Sequence, residues 1–177
     1  TTSTNLIQQG VIKISAYDPI TYHEDELNTT VICSPTPINY ERFGQSIYVQ
    51  TNETSTKMLL VGAPTIRPPK TIQNVNTGSV YQFTVSTKST LQVQYVGQIL
   101  PPVGKDQLGS EWGYSITGSA DTSTIVISAP SWNNSVGYVA VYTNSQLSQP
   151  QIIESPFVNE NSKFGYQVLL SSDSEYL

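Results

Sequence analysis

Arg42-Phe43-Gly44-Gln45-Ser46-Ile47 is followed, after a polar stretch, by Met58-Leu59-Leu60-Val61-Gly62-Ala63-Pro64 and then by Gly78-Ser79-Val80-Tyr81-Gln82-Phe83. The same order of elements recurs further along. Glu111-Trp112-Gly113-Tyr114-Ser115-Ile116 opens a second copy, Ile125-Val126-Ile127-Ser128-Ala129-Pro130 supplies its apolar run, and Gly137-Tyr138-Val139-Ala140-Val141-Tyr142 its alternating strand. A third copy starts at Lys163-Phe164-Gly165-Tyr166-Gln167-Val168, and Gly10-Val11-Ile12-Lys13-Ile14 matches the strand after the glycine. Self-similarity in a fixed order marks a repeat architecture. The frame divides the chain into residues 1–42 (the end of one unit and the start of the next), 43–111, 112–163 and 164–177, the last being the start of a further, truncated unit.

Each part of the unit has a physical reason. Met58–Val61 and Ile125–Ile127 are continuous apolar runs, as expected of an inner strand covered on both faces. Tyr81, Phe83 and Val85 alternate with Val80, Gln82 and Thr84, and Leu91, Val93 and Tyr95 with Gln92 and Gln94. A period of two gives strands with unlike faces. The glycine beside each aromatic permits close backbone approach or a positive φ. The aromatic itself is placed to wedge between adjacent units. Ala-Pro stops the inner strand, because proline cannot continue a central ladder. Four strands in a unit of roughly 50–70 residues predict an all-β fold of four-stranded antiparallel blades, part of a β-propeller.

Composition agrees. Charged residues make up only 12% of the chain against roughly a quarter in an average globular protein. Hydroxyl, β-branched and aromatic side chains fill the remaining positions, which suits half-buried pleated surfaces. A net charge of −5 with scattered basic residues argues against nucleic acid or an anionic membrane surface as partner. No apolar run approaches the roughly 20 residues of a membrane span. Cys33 has no possible internal disulfide partner, and its place in Thr30-Val31-Ile32-Cys33 predicts a buried small hydrophobe.

Phe-Gly, then Leu-Val-Gly-Ala-Pro, then Gly-x-Val-Tyr over residues 42–83 resembles the FG-GAP repeat of integrin α-subunit heads and of the C-terminal propeller of glycosylphosphatidylinositol-specific phospholipase D. The second copy, with Trp112-Gly113-Tyr114-Ser115-Ile116-Thr117-Gly118 and Ser128-Ala129-Pro130-Ser131-Trp132-Asn133-Asn134, resembles the phospholipase blades more closely. The resemblance implies structural repeat-motif roles for Phe43, Gly44, Gly62, Ala63, Pro64, Trp112, Gly113, Ala129, Pro130, Phe164 and Gly165. It implies a secreted or cell-surface protein whose blades serve as a non-catalytic scaffold and interaction module. Two alternatives share the signature: the propeller portion of a phospholipase of this kind, packed on a catalytic domain outside these residues, and an integrin-like adhesion head. The partners implied are the remaining blades, from the same parent protein or a second chain, and a protein or glycan ligand.

Family blades that hold calcium carry three spaced carboxylates between the Phe-Gly and Gly-Ala-Pro strands. Residues 50–56, 118–124 and 171–175 do not supply them, so no calcium and no other cofactor is expected. His23, in Tyr22-His23-Glu24-Asp25-Glu26, is the sole histidine; the run reads as a solvated loop, since metal sites recruit ligands from several segments. With one possible base and no Gly-x-Ser-x-Gly elbow, no serine nucleophile is expected, and Gly104–Gly109 lacks the Gly-Lys-Ser/Thr of a phosphate loop. The chain is therefore expected to carry no catalytic residue. Three sequons, at Asn28, Asn52 and Asn133, are possible glycosylation sites; Asn52 and Asn133 fall in predicted loops and Asn28 close to a predicted strand. The Tyr17…Tyr22 segment and Trp132-Asn133-Asn134 could instead present aromatic and amide side chains to a ligand.

Overall fold

A computed structural model describes residues 10–17, 20–21, 23–38, 40–50, 55–65, 76–86, 90–119, 123–143, 147–157, 161–171 and 177. The chain is all-β, with three antiparallel sheets. Sheet I pairs β1 (Val11–Tyr17) with β2 (Glu24–Cys33). Sheet II is a four-stranded meander of β3 (Ser46–Val49), β4 (Thr56–Ala63), β5 (Ser79–Ser86) and β6 (Gln92–Ile99). Sheet III repeats it with β7 (Ile116–Gly118), β8 (Thr124–Ala129), β9 (Tyr138–Thr143) and β10 (Gln151–Glu154). The single helical element among the described residues, α1 (Trp132–Ser135), joins β8 to β9; inside it Asn133 and Asn134 have φ of 50° and 56°, and Ser135 follows at 64°. It is a left-handed turn rather than a helix.

The apolar runs became the second strands. Leu59 to Ala63 and Ile125 to Ala129 are buried throughout, because each strand lies inside its sheet and both faces are covered. Alternation decides which neighbour each residue meets. Leu59, Val61, Ala63, Tyr81 and Phe83 pack with Ile12 of sheet I, whereas Leu60, Val80 and Ile99 pack with Trp112, Ile125, Ile127 and Tyr138 of sheet III. Val126 and Val139 face the start of the third copy through Val168. In β6 the inward parity switches along the strand, because a bulge opposite Gln82/Phe83 inserts Val96 and turns Ile99 towards sheet III.

The sheets meet through one repeated seam. A Cβ on Gly78 would lie 2.3 Å from Trp112 O; one on Gly137 would lie 2.2 Å from Phe164 O, and one on Gly10 1.7 Å from Phe43 O. The strand-opening glycine of one repeat thus touches the aromatic of the next, and only a hydrogen fits. Trp112 N donates to Thr77 O at 2.9 Å and Phe164 N to Val136 O at 3.0 Å. Each aromatic–Gly pair also closes the same turn, with Gln45, Tyr114 and Tyr166 N donating to Arg42, Glu111 and Lys163 O. No strand is assigned over residues 164–171, although Phe164 and Gly165 keep this local geometry.

Two expectations are corrected in sheet I. Cys33 is exposed, not buried, because it pairs with Val11 on the face that no other described sheet covers; Val11 and Val31 are exposed there too. Glu24 and Asp25 belong to β2 rather than to a solvated loop. Glu24 accepts from Lys13 and Ser15, and the Lys13 ammonium holds its carboxyl below the ordinary carboxylate range. A strand facing solvent tolerates charge, so polarity alone was a poor guide to loop.

Candidate interaction surface

Antiparallel order sends the β2–β3, β4–β5, β6–β7 and β8–β9 connections to one end of the sheets. Their described parts carry a recurring set of polar contacts. Glu41, 1% exposed, accepts from Ser34 Oγ at 2.9 Å, Tyr81 OH at 2.8 Å and Ile38 N at 3.3 Å. Three donors satisfy a carboxylate that burial would otherwise penalise. Burial in turn pushes the Tyr81 hydroxyl above the ordinary tyrosine range. In the later copies the position two before the aromatic is Ser110 or Ser162, donating to Thr77 O at 2.9 Å and Val136 O at 2.8 Å. Three residues before the aromatic, Tyr40, Gly109 and Asn161 all have positive φ, at 63°, 72° and 66°. These loops are one design used three times.

In the second copy the loops form a cleft of about 260 Å³, lined by Gln107, Leu108, Gly109, Glu111, Ser131, Asn134 and Ser135. Ser131 Oγ donates to Glu111 Oε2 at 2.6 Å, and Asn133 N donates to Gln107 Oε1 at 2.6 Å, tying the left-handed turn to the loop. Beside it, Lys105 Nζ sits 3.7 Å from the Trp132 ring centroid and pairs with Glu154. Trp132 is partly buried, edge-on to Tyr138 at 5.5 Å, with the lysine over its ring. Trp112 is fully buried, stacked on Tyr138 at 5.8 Å, its Nε1 donating to Ile99 O at 3.0 Å. The two tryptophans therefore differ: one is core and one belongs to the surface cluster.

A second opening lies between sheets I and II. Ile12, Lys13, Ile14, Ser15, Glu24, Ile47, Val49 and Leu59 line a groove of about 410 Å³ along β1 and β3. Among the described residues β1 pairs only with β2, whereas β5 and β9 are each paired on both sides.

The sequons part company. Asn133 is exposed on the left-handed turn, a geometry asparagine tolerates better than most residues. Asn28 lies inside β2, where Nδ2 donates to Asp25 Oδ2 and Oδ1 accepts from Leu91 N at 3.4 Å. Asn52 lies outside the described residues, as do Tyr22 and residues 51–54, 120–122 and 172–175 of the three stretches compared with calcium loops. His23 is exposed ahead of β2, and no group of three or more His, Cys, Asp or Glu among the described residues is placed to hold a metal ion. No helix among them is long and apolar enough to cross a membrane. Pro64 and Pro130 follow the last residues of β4 and β8.

Lys105, Gln107, Glu111 and Glu154 escaped the sequence reading, since the cleft and the cluster beside it join segments twenty or more residues apart. Glu41 escaped it too, although aligning the three copies sets a glutamate where the others carry serine. No family model matches the chain, and no curated protein matches it in sequence.

Proposed function

We infer that this chain is part of an FG-GAP β-propeller and works as a non-catalytic scaffold and interaction module of a secreted or cell-surface protein. The observation that carries the reading is the seam: a strand-opening glycine against the next aromatic–Gly pair, with the same spacing of hydrogen bonds, at Gly78/Trp112 and Gly137/Phe164. Repeats that finish their cores only against their neighbours form stacks or rings. β1 has no second partner among the described residues, and the repeat frame calls for two more strands beside it, from elsewhere in the parent protein or from a second chain. The loop end, with its cleft and lysine–tryptophan cluster, is the surface offered to a protein or glycan ligand. No cofactor and no calcium takes part.

Native and denaturing mass measurement with peptide mapping, on material purified from its source, tests this. The reading expects a further polypeptide segment with FG-GAP-type copies to accompany the chain in the native state. Material whose native mass and peptide map contain this chain and no further copies overturns it. A zinc-dependent lipase domain in the accompanying sequence would select the phospholipase form of the parent.

A further inference from the structure

The cleft between residues 107–111 and the left-handed turn holds a carboxylate with no ion-pair partner among the described residues. Glu111 is partly buried there, and neither ion pair among the described residues, Lys13–Glu24 or Lys105–Glu154, includes it. Two lysines on the flanking described segments have other neighbours. Lys105 is held by Glu154 and the Trp132 ring, and Lys163 Nζ lies 5.8 Å from the Tyr166 ring centroid. Glu111 accepts from Ser131, and its carboxylate has further lone pairs to offer a cationic donor. The remaining lining is uncharged: Gln107 and Asn134 amides, Ser131 and Ser135 hydroxyls, and Leu108, which is 65% exposed and offers an apolar wall.

The volume, about 260 Å³, falls below the ~300–1,000 Å³ of drug-sized sites and suits one side chain. Among cationic side chains, the planar guanidinium brings five donors, enough for the carboxylate, an amide oxygen and the hydroxyls together, and its stem can lie on leucine. A lysine ammonium brings three donors to a point. A neutral sugar leaves the charge unpaired. We propose that this cleft receives a single arginine side chain presented by a protein partner, with Glu111 as its counter-charge. The proposal rests on the interaction-module reading and names the chemistry of its contact.

The test is a titration of the ¹⁵N-labelled full chain, followed by amide shifts, with N-acetyl-arginine amide, its neutral citrulline isostere, N-acetyl-lysine amide and N-acetylglucosamine. Arginine amide is expected to give saturable shifts at Gly109, Glu111, Ser131 and Ser135. Citrulline amide should bind about tenfold or more weakly, a difference of about 1.4 kcal/mol. Glu111→Gln should abolish the difference between arginine and citrulline while leaving shifts elsewhere unchanged; should that variant misfold, Glu111→Asp must still weaken arginine several-fold. Equal response to arginine and citrulline overturns the proposal, as does response to the sugar alone, no saturable response to arginine, or wild-type affinity in both variants. These outcomes leave the mass measurement of the preceding section untouched, so the two readings fail separately.

Discussion

Ile47 and Ile116 occupy the same position in consecutive repeats, yet Ile116 is 8% exposed and Ile47 is 47% exposed. Nothing in their own strands explains this, since β3 and β7 both form the first strand of a meander. Their neighbours do. Sheet II offers sheet III a complete four-stranded face, and its Tyr48 reaches across to donate to Ser119 O at 2.8 Å, so close to Gly118 that a Cβ there would lie 2.7 Å from the ring. Sheet I offers sheet II two described strands, and the space beside them is the groove along Ile47 and Val49. A repeat's core is completed by the repeat before it, so burial in this chain is a property of pairs of sheets.

The largest expected effect comes from removing the filler of the closed seam. Trp112→Ala should cost about 3–5 kcal/mol by chemical denaturation, combining a large cavity with an orphaned Ile99 carbonyl. Phe43→Ala, in the half-open seam, should cost less because the surroundings can relax into the groove. Equal losses would break the contrast between the two seams.

Overpacking the seam comes next. A Cβ on Gly62 would lie 2.1 Å from Gly113 O and 2.2 Å from Ser46 Oγ, so Gly62→Ala should destabilise by about 1–3 kcal/mol. Gly97, in β6, has nothing within 4 Å of such a Cβ, and Gly97→Ala should be neutral or stabilise by up to about 1 kcal/mol. Thermal melts of the two variants compare them directly.

Ile116→Thr and Ile47→Thr sharpen the comparison at one position. The buried site should lose about 2 kcal/mol and the groove site less than about 0.5 kcal/mol in the isolated chain. Completion of sheet I should raise the second figure towards the first.

Alkaline pH probes the seams with the smallest perturbation. Burial pushes the Tyr138 and Tyr142 hydroxyls, in the closed seam, well above the ordinary tyrosine range, and Tyr81 upward in the other. Burial first, then the Tyr166 hydroxyl, raises Tyr114 to about 12. A folded-state value above the unfolded one gives stability that is complete below about pH 10 and is lost as pH rises from there through the folded value. Tyr138 OH has no hydrogen-bond partner among the described residues. Tyr138→Phe should therefore be neutral or stabilising at pH 7 and should move the alkaline unfolding midpoint upward, as read by circular dichroism.

The strands of sheets II and III were legible because Leu59–Val61, Ile125–Ile127 and their prolines carry local information: an apolar run long enough for one strand, then a residue that cannot extend a ladder. Trp112 and Phe43 were legible through their recurrence beside glycine. Cys33 was not, because the apolar run Val31–Cys33 suits a strand while exposure depends on which sheet covers the outer face. Glu24 and Asp25 were misread for the same reason. The cleft at Glu111 depends on a turn of three left-handed residues, which no periodicity announces.

The most direct test of the account is native-state hydrogen exchange of the isolated chain, strand by strand. Alternate amides of β1 point to the edge that no described strand pairs, whereas the matching amides of β5 and β9 lie between two strands. The account predicts that those β1 amides exchange orders of magnitude faster than their counterparts, and that they become protected when the remaining repeats are supplied. Uniform protection of β1 in the isolated chain would contradict it, since sheet I would then need no further strands.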